Sequence, residues 1–90
     1  MYMNRHLDLF VFGKVQGVFF RKEAKEVADR LEITGYIRNE GKFVYVEVEG
    51  QPEDLDNFIE WCHSGTEIAV VEKVEMKDGR LKGFKEFNIL

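Results

Sequence analysis

The sequence predicts an α+β fold in which two helices cover one face of an antiparallel sheet. Two observations indicate this fold. In several short segments hydrophobic residues alternate with period two, and between these segments they recur with the period of about 3.6 that is typical of amphipathic helices. The 90 residues also contain one proline and no low-complexity tract, so we expect a single domain over residues 1–90.

The first half of the chain predicts a strand, a helix and a hairpin. Residues 7–12 alternate between aliphatic and other side chains, as a half-buried strand does. The next apolar residues have helical spacing: Phe20, Ala24, Val27, Ala28 and Leu31. A second strand is expected over residues 36–38, followed by a turn at 39–42 and a third strand over 43–49 that Gly50 closes.

The second half predicts another helix and two strands. Pro52 suits the first turn of a helix, where no amide hydrogen bond is needed, and Glu53 and Asp54 suit the positive end of its dipole. Residues 68–76 predict a fourth strand, and residues 78–79 predict a turn. A short terminal strand is indicated by Phe84, Phe87 and Ile89.

The order β-α-β-β-α-β, with a short C-terminal strand, is that of the ferredoxin-like sandwich. In that fold the first and third strands are central neighbours, and the second strand pairs with the third. The first and second strands therefore point the same way, and their C-terminal ends lie on one rim, about 10 Å apart. We expect the loop after the first strand and Asn39, at the end of the second, to meet on this rim.

Residues 13–21, GKVQGVFFR, form a strand–helix junction that we call the cradle loop. Its two glycines allow backbone N–H groups to turn inward, and the N-terminus of the following helix adds unpaired donors, an arrangement that suits an anion. Arg21 lies in the first helical turn, where the dipole disfavours a cation but a bound phosphate would favour a guanidinium. In isolation, Gly13 and Gly17 would be interpreted as turn glycines and Arg21 as a solvated residue.

The cradle loop resembles the acylphosphatase signature GxVQGVxFR. Residues 35–50, GYIRNEGKFVYVEVEG, are similar to the second motif of that family, and residues 84–89 resemble its last strand. The resemblance implies two catalytic residues, Arg21 to bind the substrate phosphate and Asn39 to orient the attacking water. It also implies that backbone N–H groups of the loop bind the phosphate, namely those of Gln16, Gly17, Val18, Phe19 and Phe20.

The reaction implied by the resemblance is hydrolysis of a carboxyl–phosphate anhydride to a carboxylate and inorganic phosphate.

Two departures from the family pattern concern loops. The turn after Asn39 is one residue shorter than usual and lacks the common aspartate, and residues 64–67 replace a proline-rich joint before the fourth strand. We expect these differences to alter local loop geometry more than activity.

The residue types outside the motifs fit an acyl phosphate. The soft metal ligands are His6, Cys62 and His63, two of which are sequence neighbours, and no serine–histidine pair or motif-borne cysteine is evident. A carboxylate leaving group has a parent pKa of about 4, so no general acid is required. Positioning of water and stabilisation of charge then suffice. We therefore expect no metal and no other cofactor.

The remaining side chains of interest have structural interpretations. Cys62 belongs to the apolar stripe of the second helix, Trp61 flanks that stripe, and His6 and His63 are expected on the surface. Gln16 is a candidate for holding the loop through its amide. Of the phenylalanines at positions 19 and 20, one is expected to pack beneath the loop and the other to face outward near the acyl group.

The composition of the chain indicates where the protein is located and which partners it binds. The single cysteine, the lack of an apolar run of about 20 residues and an N-terminus without an apolar signal region predict a cytoplasmic protein with no membrane association. The formal net charge of −4 argues against nucleic acid as a partner. The expected partners are a small acyl phosphate and inorganic phosphate, as product and inhibitor, with the protein acting as a monomer.

An RNA-recognition domain is the alternative from another class, because it has the same order of elements. Residues 9–13 and 41–46 loosely resemble its two short motifs. Four aromatic residues would lie on the open sheet face, where such domains stack bases: Phe10, Phe12, Phe43 and Tyr45. Three carboxylates share that face, however: Asp8, Glu47 and Glu49. This alternative leaves Arg21 unexplained.

A regulatory ligand-binding module is a third hypothesis, but such modules usually accompany a catalytic domain.

Overall fold

The computed structural model describes residues 3–90, which form five strands and two helices. The observed order confirms the predicted β-α-β-β-α-β arrangement with a C-terminal strand. The elements are β1 (Arg5–Lys14), α1 (Phe20–Arg30), β2 (Thr34–Glu40), β3 (Phe43–Gly50), α2 (Pro52–Ser64), β4 (Val70–Gly79) and β5 (Phe87–Ile89). In residues 3–90, neither helix is long and apolar enough to cross a membrane.

The strands lie across the sheet in the order β4-β1-β3-β2-β5. As predicted, β1 and β3 are antiparallel central neighbours, and β2 pairs antiparallel with β3. The sheet is nevertheless mixed rather than wholly antiparallel, because β5 pairs in parallel with β2. The connection from β4 to β5, residues 80–86, has to cross from one edge of the sheet to the other, and we call it the strap. This crossing sets the direction of β5.

The predicted turn at residues 78–79 is wrong. Strand β4 continues to Gly79, and Asp78 and Gly79 pair with Leu7 and His6 of β1. A Cβ atom at Gly79 would lie only 2.7 Å from Cδ2 of His6, so glycine is required here by close packing rather than by a turn. The chain reverses in the strap instead.

Both helices pack on the same face of the sheet. The hydrophobic core joins β1 and β3 to the apolar stripes of α1 and α2, and each fully buried side chain of valine or leucine size contributes about 1.5–3 kcal/mol. Cys62 is buried in this core and Trp61 packs at its margin, with its ring 5.0 Å from that of Phe20, both as predicted. The central core side chains are Leu7, Leu9, Val11, Val44, Val46, Val48, Ala24, Ala28, Leu55 and Phe58.

The opposite face of the sheet carries the aromatic residues that suggested RNA binding. Phe10 contacts Phe43 and Tyr45, with ring centroids 5.7 and 5.3 Å apart, and Phe12 contacts Phe43 at 5.3 Å. All four residues are only partly exposed because they pack on one another. Their ring faces are thus engaged within the sheet, which weakens the interpretation as a base-stacking platform.

His6 was predicted on the surface, and this is wrong: the residue is 3% exposed. Its Nδ1 lies 2.7 Å from Oε2 of Glu49, and its Nε2 lies 2.8 Å from Oδ1 of Asp8. The strap covers this cluster, since the backbone N–H groups of residues 82–84 donate to the Glu49 carboxylate. A surface position expected from β1 alone is therefore buried by a segment from the other end of the chain.

The hydrogen-bond geometry around His6 favours its charged form. A neutral ring could donate to only one of the two carboxylates. Burial lowers the pKa of His6, but the hydrogen bonds to Glu49 and Asp8 outweigh burial and raise the pKa above its ordinary value of 6.5. Burial raises the pKa of the neighbouring Glu47, but hydrogen bonds from Lys82, Tyr36 and Tyr45 outweigh it and lower this pKa to about 2.

These shifts predict a stability maximum between about pH 4.5 and 6.5, the ordinary pKa values of the two groups. The stabilisation from His6 is complete below pH 6.5 and is lost as the pH rises through its raised pKa. The stabilisation from Glu47 is complete above pH 4.5 and is lost as the pH falls toward 2. Denaturant unfolding across this range measures the effect. An NMR titration that gave His6 a pKa at or below 6.5 would contradict it.

Candidate active site

The cradle loop begins at a bulge in β1. The register of β1 against β4 shifts between Phe12 and Gly13. Gly13 has a φ of 127°, and a Cβ atom there would lie 2.1 Å from the carbonyl oxygen of Val70. Glycine therefore permits both the backbone conformation and the close approach of β4, and the bulge bends the chain out of the sheet.

The backbone of the cradle loop has the form of an anion-binding nest. Val15 and Val18 are buried and fix the loop to the core. Gly17 and Phe19 have positive φ values of 72° and 63°. Residues in the left-handed conformation, placed between residues with negative φ, make consecutive N–H groups converge on one side of the loop. The loop can thus offer a ring of donors, as the sequence predicted from its glycines.

The N-terminus of α1 adds further donors. The carbonyl oxygen of Phe19 accepts the first helical hydrogen bond, from the N–H of Glu23 at 3.1 Å. Within residues 3–90, no side chain caps this end of the helix. The N–H groups of the first turn consequently remain available, and the helix dipole favours a negative charge in front of them.

Two side chains hold the loop in place. Nε2 of Gln16 donates to the carbonyl oxygens of Gly41 and Phe43, each at 3.0 Å, so the loop is tied to the β2–β3 hairpin through the amide, as the sequence suggested. The hydroxyl of Thr66 donates to the carbonyl oxygen of Val18 at 2.8 Å and is buried. Sequence reasoning missed Thr66; its only signal was its place in the joint that departs from the family pattern.

Arg21 lies at the rim in the first turn of α1. Its Nη1 donates to a main-chain oxygen of Leu90 at 3.2 Å. Among residues 3–90, no Asp or Glu side chain forms an ion pair with it. Because a guanidinium has five N–H donors, Leu90 fixes its direction while most donors remain free for an anion.

Asn39 lies on the same rim, within β2 rather than after it. It pairs with Val44, one residue before the strand ends at Glu40. Side chains alternate along a strand, so Asn39 is on the same face as the buried Ile37, which is the face that the helices cover. Gln16 connects this hairpin to the cradle loop. No side-chain hydrogen bond joins Asn39 to the loop among the described residues.

A cleft of about 310 Å³ lies in front of the loop. A second cleft of about 220 Å³, between β4 and α2, is a weaker candidate because its Arg5 is paired with Asp78 at 2.8 Å. The first cleft contains the exposed face of the cradle loop and the end of β5, but Asn39 is not part of its lining. The lining residues are Val15, Gly17, Phe19, Phe20, Arg21, Lys22 and Ile89.

The groups around this cleft suit an oxyanion. They are backbone amides, the guanidinium of Arg21, the ammonium of Lys22 and, at the rim, the carboxamide of Asn39, all of which can donate hydrogen bonds. Within residues 3–90, the group of side chains that could hold a metal ion lies on the open sheet face instead. Its members, whose ligand atoms lie within 4.8 Å of one another, are His6, Asp8 and Glu47.

Comparison with known proteins agrees with this geometry. The family model described as Acylphosphatase matches residues 7–89. The chain belongs to the acylphosphatase family. A curated acylphosphatase from Nocardioides sp. is 42% identical over 88 residues, which cover 97% of this chain and 89% of that protein. Another, from Pyrobaculum arsenaticum, is 45% identical over 85 residues and covers 91% of this chain and 90% of that protein.

Solved acylphosphatase structures share the whole fold. The acylphosphatase from Coxiella burnetii superposes with a TM-score of 0.93 at 27% identity, covering 97% of this chain and 93% of that chain. The acylphosphatase from Bacillus subtilis gives 0.92 at 29% identity, covering 98% and 99%. This acylphosphatase-family chain is thus a hydrolase that acts on acyl phosphates, which confirms the activity predicted from the motifs.

Proposed function

We propose that the chain hydrolyses the carboxyl–phosphate bond of acyl phosphates without a metal ion, with the cradle loop as the phosphate site. One observation carries this proposal: the guanidinium of Arg21, which forms no ion pair with an Asp or Glu side chain of residues 3–90, shares a cleft with the uncapped N-terminus of α1. A cation and unpaired amides that face the same small space are best satisfied by a multiply charged anion.

The phosphate binds to the backbone N–H groups of residues 16–20 and to Arg21. The amides and the helix dipole are fixed before substrate arrives, because Gln16 and Thr66 anchor the loop on its two sides. Donors that need no reorganisation stabilise the charge that develops on the equatorial oxygens in the transition state. The bond from Arg21 to Leu90 keeps the guanidinium directed at the same site.

Asn39 orients the attacking water. Its carboxamide can both donate to and accept from water, and its strand is held to the cradle loop by Gln16. The water oxygen forms a bond to phosphorus as the phosphorus–oxygen bond to the acyl group breaks. The carboxylate leaves with the bonding electron pair, one proton of the water passes to an oxygen of the substrate phosphate, and the other stays on the attacking oxygen. The products are a carboxylate and inorganic phosphate.

The identity of the leaving group explains why so few side chains suffice. A carboxylate, with a parent pKa of about 4, leaves without protonation, whereas an aryl or alkyl phosphate would expel an anion whose parent pKa is about 10 or higher. The cleft supplies positioning and charge stabilisation, and within residues 3–90 its lining includes no His, Asp, Glu, Cys or Tyr side chain to act as a general acid.

Steady-state hydrolysis of benzoyl phosphate by the purified chain tests this function. Inorganic phosphate is expected to inhibit competitively, since product and substrate occupy the same donors. Inhibition that left KM unchanged and lowered only kcat would place phosphate elsewhere and would count against the cradle loop as its site.

A further inference from the structure

Two apolar side chains stay exposed beside the candidate phosphate site. Phe19 is 65% exposed and Ile89 is 41% exposed, and both line the same cleft as Arg21. The sequence left open which of the two adjacent phenylalanines faces outward. The structure answers this, because Phe20 is 1% exposed and packs against Trp61.

The exposure of Phe19 is built into the backbone. Its φ of 63° is left-handed, a conformation that is strained for a residue with a side chain. The neighbouring Val18 and Phe20 are both buried, and the carbonyl oxygen of Phe19 is held by the first hydrogen bond of α1. The ring is therefore presented to the cleft by a fixed loop and not by a mobile one.

We propose that Phe19 and Ile89 form an acyl-binding surface, so that the enzyme prefers acyl phosphates whose acyl group is apolar and about the size of one ring. This inference rests on the proposed function. With phosphate on the cradle loop, the acyl group is attached to one of its oxygens and has to begin within the same cleft. There the exposed apolar neighbours of the phosphate site are Phe19 and Ile89, since the other two apolar lining residues, Val15 and Phe20, are buried.

The size of the cleft supports a small acyl group. Its volume of about 310 Å³ lies at the lower end of the range of about 300–1,000 Å³ typical of small-molecule sites. An aromatic ring of the substrate can pack against the Phe19 ring in an offset or edge-to-face arrangement, which stabilises the complex beyond the burial of apolar surface.

Lys22 could give the cleft a different specificity, for acyl groups that carry a negative charge. It lines the same cleft and would favour an acyl group that carries its own negative charge. Its ammonium is a flexible, strongly hydrated point charge, whereas Phe19 is fixed, so we expect the apolar surface to dominate. An acyl phosphate with a free carboxylate, such as succinyl phosphate, should therefore be hydrolysed with a lower kcat/KM than benzoyl phosphate.

The experiment compares kcat/KM for benzoyl phosphate and acetyl phosphate in the wild type, Phe19→Ala, Phe19→Leu and Ile89→Ala. We expect Phe19→Ala to lower the benzoyl-to-acetyl ratio about 3- to 10-fold, Phe19→Leu to lower it less, and Ile89→Ala to lower it measurably. The ratio cancels any general damage to the cradle loop. Met76→Ala, at an exposed apolar residue of β4, is the matched control and should leave the ratio unchanged.

The outcomes separate the two proposals. A ratio that stays at the wild-type value in Phe19→Ala and Ile89→Ala overturns the acyl-binding surface while leaving the proposed function intact. Faster turnover of succinyl phosphate than of benzoyl phosphate also overturns it, in favour of Lys22. Failure of the wild type to hydrolyse any of these compounds would instead refute the proposed function.

Discussion

Replacing Arg21 with alanine is expected to lower kcat/KM for benzoyl phosphate by at least about 10²–10³-fold, the loss typical of removing one donor to a developing oxyanion. The guanidinium forms no ion pair with a described Asp or Glu side chain and its side chain is partly exposed, so the substitution removes charge from the site without opening the core. The activity loss should therefore far exceed any change in the free energy of unfolding.

Two further variants sharpen this test. Arg21→Lys keeps the charge but loses the planar fork that matches phosphate, so we expect a severe loss here too. Arg30→Ala removes an exposed arginine from the last turn of the same helix and should leave activity unchanged. If Arg21→Ala retained activity within tenfold of the wild type, another group would have to bind the phosphate.

Replacing Asn39 with alanine is expected to lower kcat by about 10²-fold, the scale of effect that misplacement of a reacting group can have. The inhibition constant of inorganic phosphate should change little, because the phosphate donors are in the cradle loop and not in β2. Steady-state kinetics with phosphate as inhibitor separates the two quantities.

Asn57→Ala, at an exposed asparagine of α2, is the matched control and should behave as the wild type. The opposite pattern, a weakened inhibition constant with kcat retained, would show that Asn39 binds phosphate and does not position water. Both the water-positioning role and the phosphate-binding role require Asn39 to lie on the helix-covered face of β2. The burial of Ile37, two residues earlier in the same strand, places Asn39 on that face.

Local sequence signals predicted most of the fold. The period-two alternation of β1 and β3 and the helical spacing of α1 and α2 identified four elements and the pairing of the central strands. The glycines of the cradle loop likewise predicted a loop whose N–H groups can turn inward, and the positive φ of Gly17 agrees with this. What the sequence predicted well is therefore what short segments determine by themselves.

The errors share a different origin, the path of the strap. It makes β5 parallel to β2, moves the chain reversal beyond Gly79 and buries His6 beneath residues 82–84. It also leads into β5, which brings Leu90 to Arg21. Each of these features pairs segments distant in sequence, and no local pattern records such contacts.

The candidate site was predictable only in part for the same reason. The residue motifs predicted Arg21 and Asn39 as site residues, and the order of strands predicted that they share one rim. The anchoring of the loop by Thr66 could not be foreseen, since a buried threonine hydroxyl has no periodic signature. The outward position of Phe19 depends on a single backbone angle.

Hydrolysis of benzoyl phosphate in excess chelator, beside phenyl phosphate as the comparison, is the most direct measurement of metal-independent acyl phosphate hydrolysis. We expect the purified chain to hydrolyse benzoyl phosphate at the same rate with and without chelator. Phenyl phosphate, whose leaving group has a parent pKa of about 10, should not be hydrolysed. A rate that fell in chelator and returned on addition of a divalent metal would contradict the proposed mechanism.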